Sequence, residues 1–251
     1  MDSVPQELID AIIDNLSRNS LCSSSLIAKR WRTKSQRRIF NSIRLSTEDK
    51  VNRWHPDIQR GRNRIVPYVH SVELHKISSW NEPTLPGRVL KGFLSLKTLV
   101  VHQSAIPDEL LAQISRGEFG RGITTLHIRF PLCKLSAIIS MIFSLPDLKD
   151  LTVSLDQTPP GRLPSTPPVA PKRGPLDRLE LYHYGYEKNG ITETLIQSRL
   201  TFRCLRSTCH LRNILRLLAI SSETLVRLEV SGVWFLRVLD CRNDNNDHRS
   251  Y

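Results

Sequence analysis

No run of about 18 uncharged apolar residues occurs anywhere in this sequence, which excludes a conventional membrane-spanning helix. The first residues, Met1 to Gln6, lack the basic-then-apolar order of a secretory signal. Cysteine is scarce and odd in number. Cys22, Cys133, Cys204, Cys209 and Cys241 are scattered, so free thiols in a reducing compartment, cytoplasmic or nuclear, are expected rather than a disulfide framework. The phosphate-binding loops, the H-E-x-x-H helix, the paired C-x-x-C and the serine elbow are all missing. Cys204, Cys209 and His210 are too irregularly spaced for zinc. The sequence therefore predicts no cofactor, no metal and no catalytic centre.

Acidic residues are also in short supply: 24 Asp and Glu stand against 36 Lys and Arg, a net charge of +12. The imbalance is local, because +9 of it lies in the 36 residues from Lys29 to Arg64. A patch of this kind attracts an anionic partner through its summed field, but its sign alone does not choose among nucleic acid, membrane and acidic protein.

What is present begins with short helical patterns. Ser3-Val4-Pro5-Gln6 has the form of a capping box with proline in the first turn. Leu8, Ile9, Ile12, Ile13 and Leu16 follow at one-, three- and four-residue steps, one apolar stripe on a short helix. A second helix is predicted near Ser20 to Trp31, with Leu26, Ile27 and Trp31 on one face. A third is predicted near Ser35 to Phe40, with Ile43 and Leu45 following. Roughly forty residues is near the lower limit for an unsupported domain, so part of this apolar surface should meet another surface.

Val4-Pro5-Gln6-Glu7-Leu8-Ile9, Ile12-Ile13, Leu16, Ser25-Leu26-Ile27-Ala28-Lys29-Arg30-Trp31 and Arg37-Arg38-Ile39-Phe40 together resemble the F-box motif, in the form common in large fungal families. The resemblance covers about residues 3–45. Val4 stands where that family most often has Leu, and Ala28 where it often has Cys. The resemblance implies docking on the Skp-type adaptor of a cullin ubiquitin ligase. It implies adaptor-binding roles for Val4, Pro5, Leu8, Ile9, Ile12, Leu16, Leu26 and Trp31, the last two at the core or the interface. Such adaptors are acidic, which gives the basic run a natural partner.

The remainder is self-similar. A Leu-x-x-Leu-x-Leu pattern, with aliphatic swaps, starts at Val69, Leu96, Ile123, Leu148, Leu176, Leu200 and Leu225, at intervals of 27, 27, 25, 28, 24 and 25 residues. Helix-like segments follow at Gly87 to Phe93, Pro107 to Ile114, Leu135 to Phe143, Thr192 to Leu200 and Leu211 to Ile220. A strand plus a helix at this period predicts a stacked array with a curved parallel sheet, since no unit buries its strand face alone. The array resembles leucine-rich repeats over about residues 66–235. Where that family carries Asn or Cys, this chain has Ile77, Ser104, Pro131, Asp156, Tyr184, Thr208 and Val233. The usual side-chain ladder is therefore expected to be missing and the array irregular.

The predicted organisation is α+β overall: a three-helix F-box over 1–45, a basic linker over 46–65, and an irregular α/β leucine-rich-repeat solenoid over 66–239. A proline-rich insertion at 158–175 (seven prolines in 18 residues) reads as a polyproline-like loop, and 240–251 as a disordered tail. Residues flanking the apolar strand positions should share one face. Among them His75, His102, Arg129, Tyr182, Arg206 and Arg227 are candidate substrate-binding groups, with His75 and His102 about 5 Å apart on adjacent strands. The expected function is a non-catalytic substrate receptor that joins an adaptor and cullin complex to a target protein for degradation. Two alternatives stay open: a basic nucleic-acid-binding protein using Lys29-Arg-Trp-Arg-Thr-Lys34 and Arg37-Arg38, and a repeat scaffold whose F-box has no partner.

Overall fold

The computed structural model describes residues 4–27, 29–59, 64–155, 174–183, 190–209 and 211–230. The chain divides into two compact units, Met1–Ile123 and Thr124–Tyr251. The first runs α1 (Gln6–Asn15), α2 (Arg18–Ile27), α3 (Lys29–Phe40), β1 (Ser42–Leu45), α4 (Glu48–Gln59), a 3₁₀ turn (Val66–Tyr68), β2 (Ser71–His75), α5 (Leu85–Gly92), β3 (Thr98–His102) and α6 (Asp108–Ser115). The second runs β4 (Thr125–Arg129), α7 (Leu135–Ser144), β5 (Asp150–Leu155), β6 (Leu176–His183), α8 (Gly190–Gln197), β7 (Phe202–Ser207), α9 (Leu211–Ile220) and β8 (Arg227–Val230).

All strand pairs within each unit are parallel, so the fold is α/β. β1 pairs with β2 and β2 with β3 in the first unit; β4 through β8 pair in sequence order in the second. The register repeats the sequence pattern: Val72 faces Leu99 and Leu74 faces Val101, while Leu151 faces Leu126 and Leu179. These aliphatic side chains are all fully buried. Alternation follows from the strand's two-residue period, which sends every second side chain to the helix-covered core. Helix residues complete that core, including Val51, Val89, Leu110, Ile138, Leu195 and Leu217.

β2, β3 and β4 each turn into their connection through a left-handed residue. Lys76, Gln103 and Phe130 have φ of 58°, 49° and 48°, and they recur at 27-residue spacing. A non-glycine residue pays roughly 1–2 kcal/mol there. Backbone bonds hold the conformation: the Lys76 N–H donates to the His102 carbonyl and the Phe130 N–H to the Ser154 carbonyl, both at 2.8 Å. One element of the side-chain ladder expected to be missing is present. Ser104 Oγ accepts from the Ile77 N–H at 3.1 Å and donates to the His102 carbonyl at 3.0 Å. A serine at this position reaches two backbone groups much as a longer amide would, so the expectation of a lost ladder fails at that site.

Several boundaries differ from the sequence reading. α1 opens on Pro5 as its N-cap, with no side-chain cap bond, and Ser3 of the expected capping box lies outside the described residues. α2 ends at Ile27, so Trp31 belongs to α3, which begins at Lys29 rather than near Ser35. The segment expected as a linker over 46–65 contains α4. Val51 of α4 is fully buried, and Trp54 meets Phe93 edge-on at 5.6 Å. The array thus begins at β1, inside the span assigned to the helical motif. Glu48, at the start of α4, accepts from the Asn81 and Glu82 N–H groups at 3.0 and 2.8 Å and fixes the loop after β2. Residues 158–173 of the proline-rich insertion and the tail (240–251) lie outside the described residues.

Candidate partner-binding surfaces

The predicted single stripe on α1 is two rows. Ile9 and Ile13, four residues apart, are fully buried and form a small core with Leu21. Leu16, Trp31 and Ile39 pack against that core while partly buried. Leu8 and Ile12, also four apart and one step round the helix, are 56% and 45% exposed. Val4, just before α1, is 39% exposed. Leu26 and Ile27, at the end of α2, are 79% and 63% exposed. Of the eight sequence-predicted adaptor residues, Ile9 is therefore a core residue, and Trp31 and Leu16 support the core. Leu8, Ile12, Val4 and Leu26 remain on the surface, together with Pro5.

The basic character of α3 is partly internal. Lys34 reaches Asp14 at 2.9 Å and Asp10 at 3.5 Å, tying α3 to α1. The Asp14 hydrogen bond leads in raising its pKa above the usual lysine value. Arg38 donates to the Ile13 carbonyl near the carbonyl end of α1, where a cation also favours the helix dipole. Arg37 lies over the Tyr68 ring, 5.6 Å from its centre. Between the helices, Ser24 and Ser35 are buried and share a 3.0 Å hydroxyl contact, with Ser24 also donating to the Leu21 carbonyl.

On the strand face of the first unit, His75 and His102 are register partners. Their rings meet edge-on, 4.6 Å apart at 84°. Both Nδ1 atoms face one carboxylate oxygen: Glu73 Oε1 lies 3.1 Å from His75 and 3.4 Å from His102. Arg44 Nε holds the other oxygen at 2.7 Å. Burial pushes the Glu73 carboxyl up, but the Arg44 hydrogen bond and charge, joined by the two imidazoles, outweigh it and hold the group below the usual carboxylate range. The side chains of Glu73, His75 and His102 are 17%, 17% and 24% exposed, so the cluster is sheltered but open to solvent.

The second unit's strand face neutralises its own charges. Arg227 and Arg206 both approach Glu229, at 2.5 and 3.6 Å. Tyr182 and Thr152 both donate to Glu180, at 3.4 and 3.3 Å, and Arg178 stands 3.9 Å from it. Arg129 ends β4 exposed, in register with Ser154. His127 on the same strand is half-buried; burial, then the Arg129 charge, lowers its pKa. Its Nδ1 has no hydrogen-bond partner among the described residues.

Neither a family model nor a curated protein sequence matches this chain. Its surfaces therefore rest on their own geometry. Among the described residues no helix is long and apolar enough to cross a membrane. Of the sequence candidates, the structure brings His75 and His102 together and places Arg206 and Arg227 around one carboxylate; Tyr182 belongs to the separate Glu180 group. Glu73 and Arg44 were missed as site residues. Glu73 and His75 are two apart on one strand, so the alternation already put them on one face. Arg44 was hidden because β1 had not been recognised as a strand.

Proposed function

We propose that this chain is a substrate-recognition subunit of a cullin-type ubiquitin ligase, binding a Skp-type adaptor through α1 and α2 and a target protein through its strand repeats. The observation that carries this reading is the outward pair Leu8 and Ile12 on α1, with exposed Val4 just before the helix. The pair is aliphatic, four residues apart on one helix, and stands beside a separate buried row that already supplies the core. An apolar row that the fold leaves exposed is what an adaptor-binding helix needs. The motif resemblance over residues 3–45 names the occupant, and the net positive charge of α3 suits an acidic partner. The chain itself performs no chemistry in this mechanism. It holds a target near the catalytic subunits and raises its effective concentration there.

The nucleic-acid reading is weakened by Lys34, Arg37 and Arg38, which are committed to contacts within the chain. The test is co-purification of the full chain with a Skp-type adaptor at moderate salt, against Leu8→Asp. Because Leu8 is exposed, the variant should fold and yet bury an unpaired charge in the complex. A stable complex lost in Leu8→Asp supports the reading. A folded wild-type chain that captures no adaptor overturns it.

A further inference from the structure

We propose that Glu73, His75 and His102 form a three-ligand site for a divalent cation of the zinc class, on the strand face of the first unit. The three side chains offer one carboxylate oxygen and two imidazole nitrogens, with the ligand atoms all within 4.8 Å of one another. The finer distances decide the case. Zinc bonds nitrogen and oxygen at about 2.0–2.2 Å, so the edge of a tetrahedron around it is about 3.3–3.5 Å. Glu73 Oε1 lies 3.1 Å from His75 Nδ1 and 3.4 Å from His102 Nδ1. The His102 edge has the required length and the His75 edge is about 0.2 Å short of it, so small side-chain adjustments, without rearrangement of the strands, bring both into range.

The parallel register supplies the rigidity. His75 and His102 are Cα partners on β2 and β3, and Glu73 stands two residues before His75 on the same face. The site thus rests on ladder hydrogen bonds rather than on a loop, which is the arrangement that holds ligands in place. Arg44 occupies Glu73 Oε2 and leaves Oε1 turned to the histidines, the part an outer-shell partner plays for a ligating carboxylate. Two imidazoles and one carboxylate suit zinc and its neighbours and not calcium or magnesium, which prefer all-oxygen sets. Ligation through Nδ1 needs each ring neutral with its proton on Nε2, and any proton on Nδ1 passes to solvent as the cation binds. Three protein ligands leave the fourth position to water or to a donor group from a bound molecule. The inference rests on the strand register and these side-chain distances and is independent of the adaptor-binding reading.

The experiment is calorimetric titration of the full, reduced chain with zinc, repeated with cobalt(II) as an optical probe. One equivalent is expected to bind saturably, with the intense visible bands of tetrahedral cobalt and no thiolate charge-transfer band. His102→Gln and Glu73→Gln should each weaken uptake at least tenfold, while Cys22→Ser, which removes an exposed thiol, leaves it unchanged. In the unsubstituted chain, zinc should shift the ring resonances of His75 and His102, a readout that survives if a variant fails to fold. Absence of saturable uptake overturns the proposal. So does uptake that persists in His102→Gln and Glu73→Gln, or one that shifts other histidines instead.

Discussion

The N-terminal helices and the strand repeats use apolar residues differently. In the repeats, inward strand positions such as Val72, Leu74, Leu99, Val101, Leu126 and Ile128 are fully buried, and their outward neighbours are mostly polar. Among the described residues of the helical trio, only Ile9, Ile13 and Leu21 are buried aliphatics, while Leu8, Ile12, Leu26 and Ile27 stay exposed. The repeats satisfy themselves by stacking. The helices carry more aliphatic surface than their small core absorbs. The comparison locates the buried aliphatic core in the repeats and uncovered aliphatic surface on the helices.

The largest expected effect breaks the repeat side of that comparison. Leu74→Ala removes a fully buried strand side chain and should destabilise the chain by about 2–5 kcal/mol in urea unfolding. Leu8→Ala, at an exposed position, should cost less than about 0.5 kcal/mol in the same assay. Equal losses for the two would erase the distinction. Next comes the binding effect: Leu8→Asp should weaken adaptor affinity by about 2 kcal/mol or more, roughly thirtyfold, with little change in the unfolding midpoint. Matched decreases in binding and stability would place Leu8 in the core instead.

A smaller change concerns the left-handed turns. Gln103→Gly should relieve strain at φ 49° and raise stability by about 0.5 kcal/mol, after the extra chain entropy of glycine is subtracted. A clear loss of stability would show that the Gln103 side chain does more than tolerate the turn. Acid titration tests the polar face. Glu73 is held below its unfolded pKa, so its contribution to stability is present above that unfolded value and disappears as pH falls through the folded one. Arg44→Met should flatten this acid limb of the urea midpoint; an unaltered limb would mean that Arg44 does not govern the carboxyl. Least in energy is a difference in thiol reactivity. Iodoacetamide should label exposed Cys22 well before Cys133, whose thiol burial pushes up to about 12, and mass spectrometry of timed digests reads the order.

The strands and most helices were legible because a period of two or 3.6 survives repetition. Leu211–Ile220 matches its predicted span, and Leu135–Ser144 differs from its own by one residue. The first repeat escaped notice although its signature is present. Phe40-x-x-Ile43-x-Leu45 has the same spacing as the later units and lies 29 residues before Val69. The charge density from Lys29 to Arg64 made that stretch read as a linker, yet charge on a helix's outer face is compatible with a buried Val51 beneath it. The split of the α1 stripe was illegible for a different reason. Adjacent rows on one helix carry the same aliphatic residues, and only the position of α2 and α3 decides which row is covered. The histidine pair could be placed from repeat register alone, but its carboxylate neighbour required attention to i and i+2 spacing, and its arginine required β1.

One short stretch of chain has a mechanical meaning. α3 ends at Phe40 and β1 begins at Ser42, so Asn41 alone joins helix to strand. Its carbonyl accepts from both the His70 and Ser71 N–H groups at 2.9 Å. A joint of one residue, clamped twice by the neighbouring strand, has almost no torsional freedom. Whatever grips α1 also grips the first three strands, and any load or rotation applied at the helices passes into the sheet without slack. A flexible tether would let a bound target wander through a large volume. In the receptor role proposed above, this junction would instead set a fixed reach and direction for whatever the strands hold.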